Sequence, residues 1–99
     1  MRIIDLLTEE TWTRNASARD QTGAAVGYKD PRACKWCLTG ALDVCYGGRL
    51  ERQEVCGLIQ DWIDAQQPQD ADHWATIIDW NDHHATWDDI RRMLEELQV

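Results

Sequence analysis

Cys34-Lys35-Trp36-Cys37-Leu38-Thr39-Gly40-Ala41-Leu42-Asp43-Val44-Cys45 is the stretch whose spacing decides the fold class. Cys34, Cys37, Leu38, Ala41, Leu42 and Cys45 recur at i, i+3, i+4, i+7, i+8 and i+11, one apolar stripe along an α-helix. Just upstream, Asp30-Pro31 reads as the start of that helix, with Asp as N-cap and Pro at the first helical position. Gly47-Gly48 ends it.

The same period recurs on the C-terminal side. Val55, Leu58, Ile59, Trp62 and Ile63 predict a helix that Gln66-Gln67-Pro68 stops. Trp74, Ile77 and Ile78 mark a shorter one, and Asn81-Asp82-His83-His84 reads as a turn. Thr86 with Asp89 three residues on resembles a capping box. Trp87, Ile90, Met93, Leu94 and Leu97 then form the stripe of a last helix. Toward the N-terminus, Ile3, Leu6 and Leu7 suggest a short opening helix, whereas residues 13–30 are small, polar and Gly-bearing and read as mostly irregular. No segment alternates with period two. The expectation is an all-α fold, a compact bundle of about five short helices forming one domain over residues 1–99.

The totals fit one modest core. The chain has 99 residues, 43% of them hydrophobic, with six tryptophans and no phenylalanine, so Trp supplies bulk that Phe usually supplies. The net charge of −8 is uneven: residues 1–52 carry about +1, residues 53–99 about −9, and no Lys or Arg lies between Arg52 and Arg91. Such a half repels nucleic-acid phosphates and anionic membranes and attracts a basic partner; the plainer reading is a solvated surface that maintains solubility. Met1–Leu7 is too short for a signal-peptide core, and no apolar run approaches ~18 residues. A soluble, cytoplasmic protein with reduced thiols is expected.

Cys34-x-x-Cys37, with Cys45 and Cys56 downstream, raises a zinc site. On one helix, Cys37 and Cys45 lie roughly 12 Å apart along the axis, too far for both to reach ~2.3 Å from one metal. Small buried core cysteines account for the pattern better. No metal and no cofactor are expected, although a partial site using Cys34 and Cys37 in a zinc-stabilised module stays open. Nor does residues 20–30 offer the strand that a thioredoxin-like motif requires.

Trp12, Ala18-Arg19-Asp20-Gln21-Thr22-Gly23, Trp36-Cys37-Leu38-Thr39-Gly40-Ala41-Leu42, Trp80-Asn81-Asp82 and Thr86 occur in an order that resembles a family of small bacterial and phage proteins of unknown function. The resemblance spans roughly residues 12–97. It implies that Cys37 and the Trp80-Asn81-Asp82 turn belong to a shared scaffold, and it leaves Cys34, Cys45, Cys56 and His84 outside the pattern. Gly40 and Ala41 sit where another helix can come close. Arg19 and Asp20 either anchor their irregular segment on Asp82 or on backbone carbonyls, or form a small polar site with Asn81. Asn81 and Asp82 are expected to take backbone N–H groups at the turn or near the last helix.

Two functional readings follow. In the first, the chain is a binding or regulatory protein without catalysis, encoded by a phage or prophage, that inhibits a basic, nucleic-acid-binding host protein by docking on it. Asp61, Trp62, Asp64, Asp70 and Asp72 form its contact face, with no direct contact to nucleic acid or membrane. Asp61 and Asp64 lie late in their helix, where acidic charge opposes the dipole. In the second reading, Arg19, Asp20, Trp80, Asn81, Asp82 and His83 make a ligand-binding or catalytic polar site.

Overall fold

The computed structural model describes residues 1–66 and 76–99. Five α-helices are present among them: α1 (Ile3–Leu6), α2 (Leu38–Cys45), α3 (Arg49–Ala65), α4 (Ile77–Asp79) and α5 (Trp87–Leu97). Three two-residue strands accompany them: β1 (Ala18–Arg19), β2 (Ala25–Val26) and β3 (Lys35–Trp36). The fold is therefore mixed α and β, which corrects the all-α expectation.

The sheet has the order β2-β1-β3, with β1 antiparallel to both neighbours. Ala18 faces Val26 on one side and Trp36 on the other. A two-residue strand carries no period, and the partner of β1 in β3 is a distant segment, so neither announces itself in sequence. The β1–β2 turn is built by Asp20, whose Oδ1 accepts from the Thr22 N–H at 2.9 Å and the Ala24 N–H at 3.1 Å. Gly23 closes it at φ +88°, a conformation that favours glycine.

The stripe at 34–45 is helical only from Leu38. Cys34 precedes β3, and Cys37 is the N-cap of α2, with its Sγ accepting from the Gly40 N–H at 3.3 Å. Asp30 caps a turn instead of a helix: its Oδ1 accepts from the Arg32 N–H at 2.8 Å. The same short-range chemistry serves both purposes, and pairing of β3 with β1 decides the outcome. Gly40 is required, since a Cβ there would lie 2.0 Å from the Ser17 carbonyl oxygen. The close neighbour of α2 at that point is the backbone leading into β1, not another helix.

α3 buries Val55, Ile59 and Ile63, one line at i, i+4 and i+8. α5 is held by the capping box read from sequence: Thr86 Oγ1 accepts from the Asp89 N–H, and Asp89 Oδ2 accepts from the Thr86 N–H. It buries Ile90, Met93 and Leu94. These side chains meet Ile3, Leu38 and Leu42 in one core. The Ile3 N–H and the Tyr46 hydroxyl both donate to the Val99 oxygen, drawing α1, α2 and the end of α5 together.

Candidate functional site

The turn after α4 is a π-helical turn, Trp80–His84, in which the Ala85 N–H reaches back five residues to the Trp80 carbonyl at 2.8 Å. The extra residue per turn lets two neighbours, Trp80 and Asn81, point inward together. Asn81 is the one buried polar side chain among the described residues, 1% exposed. Its Oδ1 accepts from Trp12 Nε1 at 2.7 Å and from the Leu38 N–H at 3.0 Å. Its Nδ2 donates to the Thr13 carbonyl at 3.2 Å and to Asp82 Oδ1 at 2.9 Å. A side-chain amide has two donors and two acceptor positions, and all four are filled.

The neighbours of Asn81 complete the hub. Asp82 Oδ1 also accepts from the N–H of Asn15, which sits at φ 65°. Arg14 donates to the carbonyls of Asn81 and Ala85 and lies over the Trp12 ring, 4.8 Å from its centroid. Asn81 and Asp82 accept from the backbone N–H groups of Leu38 and Asn15, not from those at the turn or near α5 that the sequence led one to expect. Arg14 escaped sequence reasoning, because nothing in an irregular segment marks an arginine whose partners are carbonyls nearly seventy positions away.

The other members of the polar motif do not converge on Asn81. Arg19 donates to Thr13 Oγ1 at 3.0 Å, the Gly23 carbonyl at 2.8 Å and the Arg14 carbonyl at 3.0 Å. Arg19 and Asn81 grip Thr13 by its hydroxyl and its carbonyl respectively. Asp20 is engaged in its turn. The Thr22 hydroxyl first, and then the N–H groups of Ala24 and Thr22, hold its carboxyl below the usual carboxylate range. His83 is exposed. A small cleft of about 240 Å³ lies beside the hub, lined by Asn15, Ala16, Ser17, Cys37, Thr39, Ile78 and Asp82. Among the described residues, no group of three or more His, Cys, Asp or Glu side chains is arranged to hold a metal ion.

The acidic face divides differently from its sequence reading. Asp61 and Asp64 are exposed on α3, and neither enters an ion pair among the described residues. Asp64 accepts from Gln60 Nε2 at 3.0 Å. Trp62 does not belong with them. It is turned into the α3–α5 seam, edge-on to Trp80 at 5.7 Å, with its Nε1 donating to Glu96 and Arg92 5.7 Å from its ring. Asp70 and Asp72 lie outside the described residues. Leu58, read as part of the buried stripe, is 48% exposed, and Leu50 is 74% exposed. The helical angle carries the signal: at about 100° per residue, Leu58 falls a quarter-turn off the Val55–Ile59–Ile63 line, and Leu50 falls opposite it. Leu50, Glu54, Gly57, Leu58, Asp61 and Asp64 therefore make up the outer face of α3. Gly57 is exposed at its middle, and a Cβ added there would meet nothing within 4 Å.

The family of unknown function DUF6197 matches residues 1–98. The chain belongs to this family. The DUF6197 match takes in both the Asn81 hub and α3, and it bears out the expectation of a family of unknown function. Three of those segments meet physically at Asn81, through Trp12, Leu38 and the Trp80-Asn81-Asp82 turn itself. No curated protein and no solved structure matches the chain. Among the described residues, no helix is long and apolar enough to cross a membrane.

Proposed function

We propose that this DUF6197 chain is a cytoplasmic binding protein that acts by docking the outer face of α3 on a basic protein partner. The observation that carries the reading is the composition of that face. Exposed carboxylates at Glu54, Asp61 and Asp64 surround two exposed leucines, and α3 holds no Lys or Arg beyond Arg52. Arg52 itself is taken up by Asp43 on α2. Asp61 and Asp64 lie in the later part of the helix, where negative charge opposes the dipole, so helix stability does not account for them. Exposed leucines beside unpaired carboxylates suit a partner that brings both apolar and cationic groups.

In its sharpest form, the partner is a host protein that binds nucleic acid, and the carboxylates occupy sites built for phosphates. A phage or prophage inhibitor would act in this way. The α3 face is favoured over the rival site around Arg19, Asn81, Asp82 and His83 because the amide of Asn81 is filled and Arg19 and Asp20 are engaged in their own hairpin.

The test is charge reversal. Asp61→Lys with Asp64→Lys should weaken binding to a basic partner recovered from the host, and the wild-type affinity should fall steeply with added salt, since exposed charges are screened over ~8 Å at physiological ionic strength. Unchanged affinity and a flat salt dependence would leave the acidic half as a solubility feature.

A further inference from the structure

We infer that the partner element received by α3 is an amphipathic α-helix with basic flanks, laid across Gly57; this rests on the reading of α3 as the docking face for a basic protein. Of the recurring modes of peptide recognition, three rest on the secondary structure the peptide adopts, and the face discriminates among them. A strand-adding peptide needs a row of unpaired main-chain groups along a sheet edge, and the main chain through the middle of α3 is hydrogen-bonded along the helix. A proline-rich peptide needs an aromatic groove, and the tryptophan of α3, Trp62, is turned inward against Trp80. A helix satisfies its own backbone and needs only side chains from its host.

Gly57 supplies the independent observation. Gly40 and Gly23 have local reasons: the Ser17 carbonyl fills the space where a Cβ would go at Gly40, and Gly23 sits at φ +88°. Gly57 has neither, and it lies inside a 17-residue helix, where glycine weakens the helix. It stands at the middle of the outer face, with Leu50 seven residues before it, Asp64 seven after it and Leu58 beside it. An absent side chain at that point lets a second helix approach toward the close end of the usual 8–10 Å spacing. Leu50 and Leu58 then meet aliphatic positions of the incoming helix, while Glu54, Asp61 and Asp64 meet its Lys or Arg residues. A second copy of this chain does not fit, because pairing two such faces opposes carboxylate with carboxylate in a protein of net charge −8.

Two synthetic Leu/Lys peptides of the length of α3 test this. One has Leu at helical spacing; the other has the same composition with two central residues exchanged for D-residues that break the helix. Each is titrated at low salt against wild-type protein, Gly57→Leu and Asp61→Lys with Asp64→Lys, and every variant is melted in parallel. The helical peptide should bind the wild type more tightly than the broken one. Gly57→Leu should keep the wild-type melting temperature or raise it, yet lose roughly tenfold in affinity for the helical peptide, because an added side chain forces packed helices apart. Equal affinity for both peptides, with Gly57→Leu behaving as wild type, overturns the helical partner; loss of both on charge reversal would then leave the basic-partner reading standing. Failure of both peptides to bind overturns the two together.

Discussion

At the Asn81 turn, polar groups face other parts of the same chain: four hydrogen bonds fill one amide, Asp82 holds Asn15, and Arg14 holds two carbonyls. Along the outer face of α3, Asp61 and Asp64 face solvent beside Leu50 and Leu58. The two regions look alike in sequence, each a small cluster of polar residues next to a tryptophan. What separates them is the tryptophan and the turn geometry. The π-helical turn drives Asn81 inward next to Trp80, whereas a regular α-helix leaves Asp61 and Asp64 outside while Trp62 rotates away from them. A polar cluster is therefore scaffold or surface according to the backbone that presents it.

The contrast can be broken by substitution. The largest effect belongs to Asn81→Ala, which strands the Leu38 N–H and the Trp12 indole N–H. Denaturant unfolding should register a loss on the order of 4 kcal/mol, and a loss below about 1 kcal/mol would mean that the hub is not structural. Gly40→Ala comes next. Its Cβ would sit 2.0 Å from the Ser17 carbonyl oxygen, so α2 and the segment before β1 must separate. Unfolding should register about 3 kcal/mol of destabilisation.

The matching change on α3 has the opposite sign. Gly57→Ala meets nothing within 4 Å and should stabilise the protein by about 0.5–1 kcal/mol, as Gly to Ala does within an exposed helix. A destabilisation there would show that Gly57 packs against a neighbour on the outer face. The smallest effect is local. The Arg32 side chain first, and then its N–H, hold the Asp30 carboxyl at about 2, down from 3.8. Because the folded pKa is the lower one, this contribution is present above the ordinary carboxylate range and is lost as pH falls through about 2. In Arg32→Ala, carboxyl titration followed by NMR should return Asp30 toward 3.8, with at most a small rise at Asp20, whose carboxyl Arg32 also helps to hold down.

Legibility followed the length of the pattern. α5 could be read almost whole, because a capping box at Thr86 and Asp89 precedes three turns of regular apolar spacing. α3 is legible in position, but sequence spacing alone places Leu58 on the buried stripe, since it lies one residue from Ile59 and falls a quarter-turn off the line. Cys34 and Cys37 were drawn into α2 by chance spacing, since β3 is too short to show a period and its pairing to Ala18 and Arg19 is non-local. The anchoring of Arg19 on backbone carbonyls was one of the alternatives its segment left open. The role of Asn81 is only partly legible: the sequence points to local backbone partners, whereas Trp12, Thr13 and Leu38 come from parts of the chain that only folding brings together.

Amide chemical-shift mapping during titration with the helical Leu/Lys peptide tests directly whether the partner meets α3 or the Asn81 turn. Perturbations should run along α3 from Leu50 to Asp64, with Asn15, Cys37 and residues 81–83 unmoved. Perturbations concentrated at Asn15, Cys37 and Asp82, with α3 silent, would contradict docking on α3 and move the site to the cleft beside the hub.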